Sequence, residues 1–313
     1  MARIAALFPG QGSQYVGMGH DLADRWPTAA AAFTEIDDGL GFDLSGLCWN
    51  GPEDELRLTT NTQPALLAHS VAAWRVLAEH GFSPEAVAGH SLGEYSAVVA
   101  AGGLQAVDAS RTVRERGRLM QQAVPVGEGA MAAVLGLDDD VVVDLCASVS
   151  RDGGQVVVAA NFNSSGQVVI AGTAGAVERA IEACKQKGAR RALPLPVSAP
   201  FHSPLMAPAR EGLEPTLNVL EFRDLEIPVY RNVDAEPARN AADVRDGLIR
   251  QVDAPVLWSQ TITRMLADGF DTFVEIGAGN VLCGLVKRID RSATSYPAGT
   301  VEGIEKVISE LVT

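Results

Sequence analysis

The chain has 313 residues, of which 47% are hydrophobic and 20% charged; this composition supplies a large core and excludes disorder as the main state. With 25 Lys and Arg against 39 Asp and Glu, the net charge is −14, which argues against general nucleic-acid binding because that requires a cationic face. The N-terminal apolar stretch is too short for a signal peptide, and no run of about 18 apolar residues predicts a membrane span.

The length suggests roughly two domains, or one large domain with an insert. The cysteines lie far apart in the sequence and form no C-x-x-C pair, so neither a zinc site nor a disulfide framework is expected. Reduced thiols in a cytoplasmic protein are the simplest interpretation. The four positions are Cys48, Cys146, Cys184 and Cys283.

The first 125 residues alternate predicted strands with predicted helices. Apolar runs that end in glycine-rich turns predict strands at 4–8 and 87–89. Helical spacing of apolar residues predicts helices at 64–79, 95–101 and 107–123. Strands that alternate with helices indicate an α/β fold with a mostly parallel sheet covered on both faces.

The order of predicted elements changes between residues 126 and 198. The predicted elements there are a strand at 130–135, a helix at 138–150, strands at 156–160 and 168–171, a helix at 175–187 and a strand at 191–195. This β-α-β-β-α-β order is the ferredoxin-like motif, and it is complete within itself. We therefore expect a ferredoxin-like small domain at 126–198, inserted into a larger domain formed by 1–125 and 199–313. The larger sheet resumes with predicted strands at 227–230, 272–276 and 294–296.

The strongest chemical motif is Gly89-His90-Ser91-Leu92-Gly93, the single G-x-S-x-G in the chain. In a nucleophile elbow the serine sits on a strained turn between a strand and a helix, and the flanking glycines leave room for that turn. A strand is predicted before the motif and a helix after it. The sequence therefore predicts Ser91 as a nucleophile.

A serine hydroxyl needs a base within hydrogen-bond reach to attack at neutral pH. His202 lies in a loop stiffened by two prolines and is the candidate base, with an ordinary hydrogen-bonded loop histidine as the alternative. His90 adjoins the serine and is expected to point away from it in a structural role. No catalytic signal comes from the remaining histidines, His20, His69 and His80.

Arg116 falls in the middle of the apolar face of the helix predicted at 107–123. A buried guanidinium keeps its proton and needs an anion or several acceptors. Two interpretations remain open: an ion pair with an internal Asp or Glu, and a bidentate clamp for a substrate carboxylate.

Two glycine-rich turns follow predicted strands. The first, Gly10-Gln11-Gly12, could supply a backbone N–H to an oxyanion, together with the N–H of Leu92 after the nucleophile, or it could be a plain turn. The second, Gly277-Ala278-Gly279, lacks the rest of a dinucleotide fingerprint, so a nicotinamide site is not expected. With neither a Walker A loop nor an H-E-x-x-H motif present, no bound cofactor and no metal are expected.

Taken together, these motifs resemble the malonyl-CoA:acyl-carrier-protein transacylase family of bacterial fatty-acid synthesis over nearly the whole chain. The resemblance implies an α/β-hydrolase-like large domain with a ferredoxin-like insert, malonyl-CoA as substrate and acyl carrier protein as partner. The matching strings are FPGQGSQ from Phe8, GHSLGEYS from Gly89, Arg116-Gly117, NFNS from Asn161, Phe201-His202 and EIG from Glu275.

The resemblance also implies a role for each candidate residue. Ser91 becomes acylated, His202 is its base, and Arg116 pairs with the malonyl carboxylate. In this family a backbone carbonyl, at the position that matches Gln251, orients the histidine in place of an acid. Phe201 is similar to the malonyl-selecting form of this loop in polyketide acyltransferases. The implied oxyanion donors are the backbone amides of Gln11 and Leu92.

Three alternative functions remain open at this point. A stand-alone malonyl acyltransferase that loads a polyketide assembly line would perform the same chemistry. A serine esterase would need an Asp or Glu to complete a triad and has no use for a buried Arg116. A carrier-binding module without activity would be expected to have lost Ser91, His202 or Arg116, and the sequence retains all three.

The carrier proteins of this pathway are acidic, so a chain with a charge of −14 needs a local basic patch to bind one. A solvated helix C-terminus, where cations complement the helix dipole, is the alternative explanation of such a run. The densest run contains Lys185, Lys187, Arg190 and Arg191. The second candidate cluster contains Lys287, Arg288 and Arg291.

Overall fold

A computed structural model describes residues 2–153, 155–197 and 199–312. The first third of the chain contains the strands β1 (Ile4–Phe8) and β2 (Ala86–Gly89). Its helices are α1 (His20–Arg25), α2 (Pro27–Leu40), α3 (Leu44–Asn50), α4 (Glu53–Leu56), α5 (Thr59–Glu79), α6 (Gly93–Ala100) and α7 (Ala106–Gln122).

The remainder of the chain supplies the other elements. The middle segment forms β3 (Gly129–Leu135), α8 (Asp139–Gly153), β4 (Val157–Ser164), β5 (Gln167–Thr173), α9 (Ala174–Gln186) and β6 (Arg191–Pro194). The last segment forms α10 (Ala207–Val219), β7 (Val229–Tyr230), β8 (Pro237–Ala238), α11 (Ala241–Gln251), α12 (Trp258–Ala267), β9 (Thr272–Ile276), α13 (Val281–Ile289), β10 (Thr294–Ala298) and α14 (Val301–Leu311).

The larger sheet has six strands in the order β10-β9-β1-β2-β7-β8, and every neighbouring pair except β7 with β8 is parallel. Residues 5–8 of β1 are all fully buried. Ala6 and Phe8 pack into one apolar cluster, whereas Ala5 and Leu7 pack into another on the opposite face. Because helices cover both faces, this strand is a continuous apolar run, and the predicted α/β fold is confirmed.

The smaller sheet is antiparallel, in the order β4-β5-β3-β6. It packs with α8 and α9 around an apolar cluster that includes Val134, Ile170 and Ile181. The ferredoxin-like order of elements in this segment is therefore confirmed. The exact domain bounds at 125/126 and 198/199 stay a prediction, and Ser198 itself lies outside the described residues.

Several predicted bounds were wrong. Helix α5 begins at Thr59, five residues before the predicted start at Pro64, which lies inside the helix. At this start α5 lies close to α7, since a Cβ on Gly117 of α7 would lie 2.6 Å from the backbone oxygen of Thr59. The strand predicted at 227–230 is reduced to its last two residues, and the one predicted at 294–296 extends to Ala298.

The topology places two predicted motifs side by side. Strands β1 and β2 are parallel neighbours, with Phe8 in register with Gly89. Their carboxyl ends therefore meet at the same edge of the sheet, which is where open α/β sheets bind their ligands. The turn at Gly10-Gln11-Gly12 and the nucleophile motif both begin at that edge.

Candidate active site

Ser91 sits on a strained turn between β2 and α6. Its φ angle is +52°, in the left-handed region that a residue with a side chain rarely adopts. A Cβ on Gly89 would lie 1.9 Å from the carbonyl carbon of Gly93, and one on Gly93 would lie 2.1 Å from the backbone oxygen of Phe8. Both glycines of the motif are thus required by the close packing of the turn.

Asn232, a residue that the sequence reasoning missed, holds this turn in place. It is fully buried and follows β7, the strand next to β2. Its side-chain oxygen accepts from the backbone N–H of Ser91 at 2.7 Å, and its Nδ2 donates to the carbonyl of Gly89 at 2.7 Å. The only sequence signal available was its position as a polar residue just after a strand.

His202 lies beside the serine and has its own partner behind it. Its Nε2 is 2.7 Å from the Oγ of Ser91. Its Nδ1 donates to the backbone carbonyl of Gln251 at 3.0 Å and lies 3.2 Å from that of Ala254. Because Nδ1 carries the proton, Nε2 is the acceptor that faces the hydroxyl. Burial, with the nearby charge of Arg116, lowers the pKa of His202 to about 3, which keeps the ring neutral.

Arg116 is buried and aimed at the same hydroxyl. Its Nη2 donates to Ser91 Oγ at 3.1 Å and to the side-chain oxygen of Gln251 at 2.9 Å, and its Nη1 donates to that of Gln63 at 2.9 Å. Within residues 2–153, 155–197 and 199–312, no carboxylate forms an ion pair with it, and its buried Nε–H has no partner. The internal ion pair is therefore absent from the described residues, and the guanidinium keeps donors for an incoming anion.

Gln11 and Leu92 both line the cavity that contains Ser91. In the described part of the chain, neither backbone N–H donates to a backbone carbonyl. The turn that carries Gln11 is pressed against the nucleophile turn, since a Cβ on Gly10 would lie 2.5 Å from the backbone oxygen of His90. Both residues therefore lie at the cavity wall, and the described residues provide no backbone acceptor for either N–H.

The cavity itself has a volume of about 290 Å³ and lies between the two sheets. The larger sheet and its helices contribute the catalytic candidates, and the smaller sheet closes the other side. The residues from the smaller sheet are Met131, Ala133, Asn161, Asn163, Gln167 and Val169. Apolar side chains that complete the wall include Met120, Leu195, Val197, Phe201 and Leu285.

His90 connects the two sides of this cavity. Its Nε2 is hydrogen-bonded to Oδ1 of Asn163 on β4 at 2.8 Å, and its ring lies 5.4 Å from that of Trp258. Burial lowers the pKa of His90, so the neutral ring donates through Nε2. These contacts are those of a structural residue, consistent with the expectation from sequence.

The predicted basic residues separate into two groups. Those that line a second pocket, of about 840 Å³, are Arg190, Arg191, Lys287, Arg288 and Arg291. Gln167 lines this pocket as well as the catalytic cavity, and it accepts a hydrogen bond from Arg288. Lys185 and Lys187 do not line the pocket, and Lys185 forms an ion pair with Glu182 at 2.8 Å. Arg190 and Arg191 of the first predicted cluster thus line the same pocket as all three members of the second cluster.

Among the residues that the structure describes, no group of three or more His, Cys, Asp or Glu side chains is arranged to hold a metal ion. No helix among them combines the length and the apolar character needed to cross a bilayer.

Comparison with known proteins gives consistent matches over the full length. The family model described as acyl transferase domain matches residues 6–306. The malonyl CoA-acyl carrier protein transacylase of Bacillus subtilis is 47% identical over 311 residues, covering 99% of this chain and 98% of that protein. The solved structure of the malonyl CoA-acyl carrier protein transacylase of Coxiella burnetii has a TM-score of 0.97 at 41% identity, covering 100% of this chain and 98% of that one. A malonyl-transacylase in complex with a type II PKS acyl-carrier protein has a TM-score of 0.96 at 47% identity, covering 98% and 99% of the two chains.

Proposed function

The chain belongs to the malonyl CoA-acyl carrier protein transacylase family of acyltransferases, and we propose that it transfers the malonyl group of malonyl-CoA to the phosphopantetheine thiol of an acyl carrier protein through an ester on Ser91. No bound cofactor takes part. The observation that carries the proposal is the convergence of two groups on one hydroxyl. His202 Nε2 lies 2.7 Å from Ser91 Oγ and Arg116 Nη2 lies 3.1 Å from it.

In the first half-reaction, Ser91 Oγ attacks the thioester carbonyl of malonyl-CoA while His202 Nε2 accepts the hydroxyl proton. The backbone amides of Gln11 and Leu92 donate to the oxyanion of the tetrahedral intermediate. The C–S bond then breaks, and the proton on His202 passes to the departing CoA sulfur. The product is a malonyl ester on Ser91.

In the second half-reaction, the thiol of the carrier protein gives its proton to His202 and attacks the ester carbonyl. The C–O bond to Ser91 breaks, and the serine oxygen recovers the proton from His202. The carbonyl of Gln251 supports the histidine in both steps, because it accepts from Nδ1 and keeps Nε2 directed at the reacting atoms.

Arg116 selects the acyl group. Its unpaired Nε–H and the Nη2 that now bonds Ser91 Oγ are the donors available to the free carboxylate of the malonyl group. Since the guanidinium is buried with amide oxygens as its partners, the substrate supplies the missing negative charge. An uncharged acyl group would leave this cation uncompensated.

This geometry also separates the proposal from an esterase. A triad esterase would orient its histidine with a carboxylate, whereas the partners of His202 Nδ1 are backbone carbonyls. The function of an inert carrier-binding module does not require a serine, a histidine and an arginine in contact. We assign the reaction to fatty-acid biosynthesis in the cytoplasm; free thiols at all four cysteines support that location.

For the carrier protein we propose a docking surface on the basic pocket of Arg190, Arg191, Lys287, Arg288 and Arg291. The pocket is lined by no carboxylate among its described residues, and it adjoins the catalytic cavity at Gln167. A carrier bound there would present its phosphopantetheine arm to the mouth of the cavity. An acidic partner gains encounter rate from such a patch despite the net negative charge of the whole chain.

The experiment that tests the central step is acylation with malonyl-CoA alone. Intact-mass analysis is expected to show one added malonyl group, and peptide mapping is expected to locate it on Ser91. Ser91→Ala should remain unmodified, whereas Ser110→Ala, a serine on α7 that bonds the carbonyl of Val107, should be modified like the natural chain. An unchanged mass of the natural chain, or a label on another residue, would overturn the proposal.

A further inference from the structure

Glu94 is a buried carboxylate directly behind the reacting groups, and the reaction steps above do not use it. It is the second residue of α6, three positions after the nucleophile, and only 1% of its surface is exposed. Burial raises the pKa of Glu94 to about 7. A buried carboxyl group destabilises the fold unless hydrogen bonds from its neighbours satisfy it.

One side-chain oxygen of Glu94 holds two residues that contact the catalytic groups. Its Oε2 accepts from the backbone N–H of Asn232 at 3.1 Å and from the Nε2 of Gln251 at 2.8 Å. The same Nε2 of Gln251 donates to the backbone carbonyl of Ser91 at 2.8 Å. The other end of the Gln251 carboxamide, Oε1, accepts from Arg116 Nη2 at 2.9 Å.

A carboxamide has a donor end and an acceptor end, and the two ends are nearly equal in size. If the side chain of Gln251 turned over, its NH2 group would face the donors of Arg116, and its oxygen would face the oxygens of Glu94 and Ser91. Both contacts would be repulsive. The oxygen of Glu94 therefore helps to fix the orientation in which Gln251 presents an acceptor to the guanidinium.

We infer that Glu94 is a positioning residue that sets malonyl selectivity by holding the Gln251 carboxamide, and through it Arg116, in place for the substrate carboxylate. The inference rests on the proposed function, since it concerns the same acyl group. The positioning of Gln251 depends on how far the Glu94 oxygen reaches more than on the charge of Glu94. A neutral amide oxygen at the same place would accept the same two hydrogen bonds.

Two substitutions separate reach from charge. Glu94→Gln keeps an oxygen at the same distance and removes the charge, so the ratio of malonyl to acetyl loading on Ser91 should stay within about threefold of the natural value. Glu94→Asp keeps the charge and withdraws the oxygen by one CH2 group. For this variant the ratio of malonyl to acetyl loading should fall by about tenfold or more. That is the loss expected when Arg116 loses one hydrogen bond to the substrate carboxylate. The fall should appear mainly as a higher KM for malonyl-CoA, with a smaller change in kcat.

A double-mutant cycle identifies the route of the effect. In an Arg116→Ala background, Glu94→Asp should change malonyl loading by less than about twofold, because the group it positions is gone. Glu115→Asp on α7, a carboxylate that pairs with the exposed Arg118, is the matched control and should leave the ratio unchanged. If Glu94→Asp does not fold, Gln251→Met tests the same link. It removes the carboxamide, keeps the carbonyl that bonds His202, and should lower the ratio in the same way.

Several outcomes would overturn the inference. Equal losses for malonyl and acetyl loading in Glu94→Asp or Gln251→Met, or a full additional loss in the Arg116→Ala background, would make Glu94 a structural residue. A ratio lowered as much by Glu94→Gln as by Glu94→Asp would make the charge the cause. Failure of the natural chain to form a malonyl ester on Ser91 would instead overturn the proposed function, so the two failures are distinguishable.

Discussion

Removal of the guanidinium in Arg116→Ala is expected to convert a malonyl-selective site into one that no longer prefers a charged acyl group. The natural side chain offers its unpaired Nε–H and the Nη2 near Ser91 to the substrate carboxylate. Alanine removes both donors and leaves the side-chain oxygens of Gln63 and Gln251 without their buried partner.

The size of the effect follows from the number of hydrogen bonds lost. Each hydrogen bond to a charged group contributes about 1.5–3 kcal/mol, so two of them amount to about 3–6 kcal/mol. At about 1.4 kcal/mol for each factor of ten, malonyl loading should fall by about 10²–10⁴ in kcat/KM. The acetyl group makes no such bonds, so acetyl loading should be retained or should rise.

The assay compares the rates at which malonyl-CoA and acetyl-CoA acylate Ser91, measured by single-turnover kinetics with intact-mass detection. Arg114→Ala is the matched control. Arg114 lies on the same helix, with its guanidinium over the ring of Phe42 and outside the catalytic cavity. Its substitution should change neither rate by more than about twofold. An equal loss of both rates in Arg116→Ala would refute the reasoning and make Arg116 a structural residue.

Three further predictions concern packing, protonation and docking. Gly93→Ala should lower the free energy of unfolding, measured by chemical denaturation, by about 3 kcal/mol, because its Cβ would lie 2.1 Å from a backbone oxygen. Gly284→Ala in α13 should raise that free energy by about 0.5–1 kcal/mol, because its Cβ would meet no atom within 4 Å. The ring resonances of His202 should not titrate near pH 6.5 in an NMR pH series, since burial lowers its pKa to about 3 and the base form is kept down to that pH. Arg190→Glu with Lys287→Glu should slow transfer to acyl carrier protein by about tenfold or more and flatten its salt dependence, with malonyl-CoA loading within about twofold.

The controls and contradicting results differ for each. Similar unfolding energies for the two glycine variants would contradict the steric account of the nucleophile turn. A resonance that titrates with a midpoint near 6.5 and is lost in His202→Gln would contradict the lowered pKa. For docking, Lys185→Glu with Lys187→Glu makes the same charge change outside the basic pocket and should have a smaller effect on the transfer rate. Equal slowing of loading and transfer would indicate that the pocket holds the phosphates of CoA.

The sequence by itself determined the features that depend on neighbours along the chain. Apolar runs that alternate with segments of helical spacing predicted the parallel sheet, and the β-α-β-β-α-β order predicted the smaller sheet. Both predictions were possible because the spacing of apolar residues that identifies each strand or helix lies within a few neighbouring residues. The nucleophile turn was predictable because two glycines flank Ser91 within five positions. Arg116 was recognisable because one charged residue interrupts the apolar face of a single helix.

The tertiary structure alone decided which distant residues surround Ser91 and Arg116. Gln63, Asn232 and the side chain of Gln251 give no local signal, because an isolated polar residue in a helix or after a strand has the same pattern whether it faces solvent or the core. Gln63 bonds Arg116 across 53 positions, and Gln251 bonds Ser91 across 160. The carboxylate of Glu94 acquires its role in the same way, since each of its partners arrives from another part of the chain when the strands pair and the helices pack against them.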